Sequence, residues 1–193
     1  MKRLELTLKA FSPELVVILA YAVSFALMQY VARPIQDLFI APTLVGTLLF
    51  LPHGVRVIGV WLFGYRAILP LVIGEAFCVY YLGYFNLPVS AVLEGAVVGG
   101  VCCFLAFEIF RLAGNDLYLD TARERASWRM LILLSGIGSV FNSIGHTLAY
   151  RDAFTFEDDI AQLLSFLVGD IGGTFVLLIV LVIFNRSLRR MDI

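Results

Sequence analysis

Long apolar runs separated by short polar clusters make up most of the chain. A membrane-crossing helix needs about 20 predominantly apolar residues. Residues 15–32, 67–85, 89–112, 130–150 and 160–184 each supply such a run. Ser12-Pro13-Glu14 marks the start of the first, with Ser12 placed to cap and Pro13 tolerated in the first turn, and Arg33-Pro34 marks its end. Gly64-Tyr65-Arg66 and Asn86-Leu87-Pro88 read as tight turns.

Residues 38–64 break this pattern. They are apolar enough to span, yet Pro42, Gly46, Pro52 and Gly54 interrupt them. Proline removes a backbone donor and pushes the preceding residue away from helix. The expectation is a broken or re-entrant piece over 38–51, then a short helix over 52–64. Irregular backbone at membrane depth is tolerated only where protein buries it or where it lines a wet cavity. The pattern therefore predicts an all-α, polytopic membrane helix bundle of about six transmembrane helices, with the broken segment before the second.

Composition agrees with this reading. The 193 residues are 61% hydrophobic and 15% charged, with a mean hydropathy of +0.92, far more apolar than a soluble domain. The spans use nearly the whole length, so residues 1–193 read as one integral-membrane domain with no soluble catalytic module. Residues 1–14 form a cytoplasmic lead-in without a small-residue cleavage site, 15–185 the bundle and 186–193 a cytoplasmic tail. The net charge of −1 gives no footing for nucleic acid; the lipid bilayer is the expected partner. Charge distribution sets the orientation. With the N-terminus inside, Lys2, Arg3, Lys9, Arg66, Arg111, Arg123, Arg125, Arg129, Arg186, Arg189 and Arg190 fall on the cytoplasmic side, and only Arg33 and Arg151 fall outside. Both termini are expected in the cytoplasm.

Several polar residues lie inside the apolar runs. A charge at bilayer depth costs a few kcal/mol on insertion scales, so each marks a functional-site hypothesis. Arg56 stands eight residues before Gly64, and Glu75 stands eight after Ala67. At a rise of about 1.5 Å per residue both lie about 12 Å from the same edge, and the short turn between their helices makes the two antiparallel neighbours. An Arg56–Glu75 ion pair is expected, as a structural pair or as a ligand contact. Asp170 lies roughly 15 Å from the outer start of its span by the same rise, and His53, Glu94, Asn142 and His146 fall in the outer half. His53, Arg56, Glu75, Glu94, Asn142, His146 and Asp170 are thus the candidate ligand-binding set, lining a polar vestibule that opens outward.

Plainer readings stand beside this one. Polar residues often only hold membrane helices together, at about 2 kcal/mol per contact or less. Glu94 fits a residue snorkelling to the interface, and His146 fits a polar contact one turn after Asn142. Glu108 and Arg111 form an ordinary surface pair at i,i+3. Cys78, Cys102 and Cys103 lie in apolar runs without metal-ligand spacing and read as small hydrophobes. No metal site, no cofactor and no catalytic motif is expected: there is no GxSxG, no HExxH and no phosphate-cradling loop. Ser139 and Ser143 near His146 do not make a convincing nucleophile and base.

Two blocks carry a family resemblance. The first is Leu51-Pro52-His53-Gly54, then Gly64-Tyr65-Arg66, Pro70 and Gly74-Glu75-Ala76-Phe77; the second is Gly169-Asp170-Ile171-Gly172 in the last span. Together they resemble the first-described class of bacterial membrane-associated sensor (MASE-type) domains, with a Pro-Pro-Ala-Gly start, a Gly-Arg-Arg turn and a Gly-Asp-x-x-Gly signature. The positions carried over are Pro52, Gly54, Gly64, Arg66, Gly169, Gly172 and Asp170. Leu51 stands in place of an aromatic residue and His53 in place of the second proline. Such domains sit in the bacterial inner membrane and normally precede cytoplasmic kinase, cyclase or phosphodiesterase modules; this chain is expected to be a copy without an output module. The resemblance implies stimulus reception in the membrane, with the last helix passing the signal to a cytoplasmic partner. The competing expectation is the substrate-binding component of an energy-coupling-factor transporter, with the small pair Ala22 and Ala26 docking a coupling subunit. A structural subunit of a larger membrane complex is a third.

Overall fold

A computed structural model describes residues 12–39, 47–83, 87–119, 127–150 and 159–191. Among these the regular structure is entirely helical: α1 (Pro13–Leu27), a π turn (Met28–Ala32), α2 (Arg33–Asp37), α3 (Leu51–Phe63), a 3-10 turn (Gly64–Ala67), α4 (Ile68–Leu82), α5 (Val89–Leu112), α6 (Trp128–Tyr150) and α7 (Asp159–Met191). Among the described residues, five helical stretches are long and apolar enough to cross a membrane: Pro13–Asp37, Leu51–Leu82, Val89–Leu112, Trp128–Tyr150 and Leu163–Ser187. Their outer faces carry Leu19, Val23, Leu93, Val97, Leu133, Ile144, Val168 and Ile183, all exposed. Apolar surface on this scale belongs against lipid, since soluble proteins rarely leave such contiguous patches bare.

The first helix starts as its sequence dictates, with the Ser12 hydroxyl accepting from the Leu15 amide at 3.3 Å. It does not end at Arg33-Pro34. The π turn carries it through Pro34 to Asp37, because a widened turn moves the preceding carbonyls away from the proline ring that would otherwise clash with them. The last helix also outruns its expected end: residues 186–191 continue α7. Half of the re-entrant expectation, residues 40–46, lies outside the described residues, as do 1–11, the turn residue Asn86 and the acidic loop 151–158.

Leu51–Leu82 is not one straight rod. Gly64 takes φ 57° and ψ −137°, a backbone conformation that favours glycine. Arg56 and Glu75 are 2.7 Å apart, whereas a straight helix would hold residues at that sequence separation about 28 Å apart. The chain therefore folds back at Gly64, and α3 and α4 run antiparallel. At 13 residues, α3 is about 20 Å long, shorter than the roughly 30 Å hydrocarbon core.

Packing runs in a ring: α1 against α4, α4 against α5, α5 against α6, α6 against α7, α7 against α3 and α3 back against α1. The short α3 also touches α5 and α6, which buries Pro52 to Val57 without a break. Just before it, Thr47–Phe50 is non-helical and lies on the last helix. Phe50 donates its amide to the Gly169 carbonyl at 2.9 Å, and Leu48 donates to Gln36 Oε1 at 2.7 Å. A side chain at Gly169 or Gly173 would overlap the Thr47 or Phe50 carbonyl. The glycines of α7 thus admit irregular backbone against the bundle, with Thr47 buried and Leu48 to Phe50 half-buried, in keeping with the rule that such backbone at membrane depth needs protein or water around it.

Candidate functional site

Pro52 at the start of α3 and the glycine contacts on α7 bring two polar stretches face to face. Gly54 packs against Thr174 and Leu177, and one turn of α3 then presents His53 and Arg56 to the interior. Six of the seven candidate residues meet there in one network.

Arg56 is fully buried. Its Nη2 lies 2.7 Å from Glu75 Oε2 and donates to the Tyr21 hydroxyl at 3.0 Å. Its Nη1 donates to Asn142 Oδ1 at 3.0 Å. Asn142 passes the chain on, Nδ2 donating to Asp170 Oδ2 at 2.9 Å. Asp170 Oδ2 is also 3.3 Å from His53 Nδ1. On the other side, His146 Nε2 lies 3.3 Å from Glu75 Oε1, and its Nδ1 faces the Asn142 carbonyl at 3.0 Å. His53 Nε2 faces the Ser135 carbonyl at 3.2 Å. Thr174 donates to the Asp170 carbonyl at 2.9 Å and receives from Ser135 at 2.8 Å. The network therefore ties α1, α3, α4, α6 and α7 together through side chains.

Two chemical properties follow. Each histidine has an acceptor at both ring nitrogens, and a neutral imidazole donates through only one, so one contact at each ring depends on a proton. Furthermore, Arg56 Nε and Asp170 Oδ1 are buried with no hydrogen-bond partner among the described residues. Unsatisfied buried polar atoms cost about 1–3 kcal/mol each, which makes this end of the network its least settled part. Breaking the Arg56–Glu75 pair from one side would leave a charge uncompensated in a medium of low dielectric.

The structure corrects two expectations. Glu94 is exposed and stands outside the network. The buried stripe of α5 runs through Ala91, Val92, Gly95, Ala96, Gly99, Cys102 and Cys103, and Glu94 lies off it. The expected outward vestibule is not open at these residues: His53, Arg56 and Asp170 are each 0% exposed and Glu75 is 2% exposed. Close packing is the reason, because Tyr21, Gly99 and Asn142 fill the space around the ion pair. A cavity of about 570 Å³ lies instead beside the Gly64 turn, lined by Trp61, Arg66, Glu108, Arg111, Asp116 and Tyr118. There the Glu108–Arg111 pair is found as expected, and the Tyr118 hydroxyl donates to Glu108 at 2.7 Å.

Sequence reasoning missed Tyr21, Ser135 and Thr174, because a lone Tyr, Ser or Thr in an apolar run is equally consistent with a lipid-facing position. It also left His53 apart from Cys102 and Cys103, which the fold brings together: Cys103 Sγ is 3.7 Å from His53 Nε2. Ser143 donates to the Ser139 carbonyl at 2.7 Å, an ordinary helix back-bond. No family model matches the chain, nor does any curated protein or solved structure.

Proposed function

We propose that this chain is a sensory, ligand-receiving protein of the bacterial inner membrane, with a MASE-type domain that signals to a cytoplasmic partner. The observation that carries the reading is the Arg56–Asn142–Asp170 bridge between the short buried helix and the last one. It joins the two blocks on which the family resemblance rests. A small polar ligand would enter at the unsatisfied Asp170 Oδ1 and Arg56 Nε and compete for the bridge. Such a ligand shifts the bundle only if it binds the open and sealed arrangements with different affinity.

The last helix is the natural output. Its 33 residues extend about 50 Å, longer than the hydrocarbon core, and Ile179 to Ser187 are exposed on every face. In this reading the bundle crosses the membrane about six times with both termini cytoplasmic, α3 running inward to a cytoplasmic Gly64 turn and α4 running back outward from it.

The transport alternative draws on the same size and broken helix, but Ala22 and Ala26 are half-buried within the bundle rather than bare, which favours sensing. Purification of the intact protein from its native membranes in mild detergent, with mass spectrometry of what accompanies it, separates the two. A kinase, cyclase or response regulator that is lost with Asp170→Asn supports sensing. ATPase subunits with a coupling protein overturn it in favour of transport.

A further inference from the structure

The geometry points to a binding site for a divalent, thiolate-seeking metal ion of the zinc class, formed by His53 Nε2, Cys102 Sγ and Cys103 Sγ in the bundle interior. This goes beyond the sensory reading and does not depend on it. The three ligand atoms lie within 4.8 Å of one another, and all three residues are buried. Cys103 Sγ is 3.9 Å from Cys102 Sγ and 3.7 Å from His53 Nε2. Around one ion with metal–sulfur bonds of about 2.3 Å and metal–nitrogen bonds of about 2.0–2.1 Å, trigonal ligands stand about 4.0 and 3.8 Å apart, and tetrahedral ones about 3.8 and 3.6 Å. Two edges of the triangle already have the dimensions of a coordination sphere.

The surroundings have the features of a metal site as well. The far nitrogen of the His53 ring faces Asp170 at 3.3 Å. His53 Nδ1 makes no hydrogen bond among the described residues. On metal binding the ring's one proton would therefore pass from Nε2 to Nδ1, toward the Asp170 carboxylate, which frees Nε2 to ligate and makes the ring a better donor. Cys102 and Cys103 are free thiols. On binding, each gives up its proton to become a thiolate, and the contact between His53 Nε2 and the Ser135 carbonyl is given up. Two thiolates balance a divalent ion, so the metal and its sulfurs add no net charge to a region where charge is costly. A monovalent soft ion would leave one negative charge over. The ion would cross-link α3 to α5, with α7 behind the histidine. Cys78 is equally buried but outside the triangle.

The test uses the full chain, purified under reducing conditions from zinc-supplemented cells in mild detergent. Elemental analysis should find about one zinc per chain, and X-ray absorption at the zinc edge should show sulfur ligands near about 2.3 Å. Cys102→Ser with Cys103→Ser should lower the zinc content at least tenfold, while Cys78→Ser leaves it unchanged. Titration with Co2+ should give thiolate-to-metal charge-transfer absorption in the wild type and not in the double variant. Zinc held only by nitrogen and oxygen, copper in its place, or a zinc-free chain that gives no charge transfer with Co2+ would overturn the site. The absorption measurement needs only the wild-type protein, so a double variant that failed to fold would not protect the proposal.

Discussion

Gly99 of α5 lies directly against the Glu75 carboxylate of α4, so closely that a methyl group there would overlap both Glu75 Oε2 and Arg56 Nη2. The absence of a side chain at one position is what lets a buried ion pair fit between three helices. Gly99→Ala should therefore behave as an overpacking change that also splits the pair, destabilising by about 1–3 kcal/mol or more. Gly136→Ala is the control: its methyl would meet only Ile171 Cδ1 at 3.7 Å, an ordinary contact. Unfolding in mixed detergent and denaturant reads both, and equal stability of the two variants would contradict the fit.

The Arg56–Glu75 pair itself makes a sharper prediction. Glu75→Ala leaves a buried guanidinium with uncharged partners, the Tyr21 hydroxyl, Asn142 Oδ1 and the Phe50 ring, and should cost about 3–5 kcal/mol. Arg56→Met combined with Glu75→Met should cost clearly less than the two single changes summed, because neither charge is then stranded. Additive losses would mean that the two side chains are not paired.

On α7, neighbouring glycines are not equivalent. A methyl at Gly173 would overlap the Phe50 carbonyl and the Leu51 amide, whereas one at Gly172 would only approach the Leu48 carbonyl at 3.3 Å. Backbone cannot move aside as a rotamer can. Gly173→Ala should lift residues 47–50 off the helix and abolish hydrogen-exchange protection of the Phe50 amide, which bonds to Gly169. Gly172→Ala should largely retain that protection.

Outside the membrane, burial and the bond to Glu108 hold the Tyr118 phenol well above its ordinary value near 10. A group whose folded-state value is raised stabilises fully below its unfolded value and loses that contribution as pH climbs toward the folded one. Above about pH 10, where an exposed tyrosine ionises, Tyr118 should remain neutral and its contribution to stability should fall. Tyr118→Phe should flatten the alkaline part of the stability profile. A variant with the same alkaline slope as the wild type would show that Tyr118 is not the group responsible.

The sequence by itself determined the class of protein, the place of most helices and the matched levels of Arg56 and Glu75 relative to the Gly64 turn. Apolar length and the membrane's need for internal backbone hydrogen bonds leave few alternatives, so the 89–112 helix was legible to the residue. Counting from the Gly64 turn also paired Arg56 with Glu75 correctly, because helical rise converts sequence distance into depth. What rise cannot supply is rotation about the helix axis and the way one helix leans on another. Those decided that Glu94 turns outward, one position from the inward-facing Gly95, and that Asn142 bridges Arg56 to Asp170. They decided, too, that Tyr21 closes the network and that His53 meets Cys103 from 50 residues away. Depth is a property of one helix and its sequence, whereas side-chain partnership depends on the rotation and spacing of several helices at once, which only their mutual packing sets.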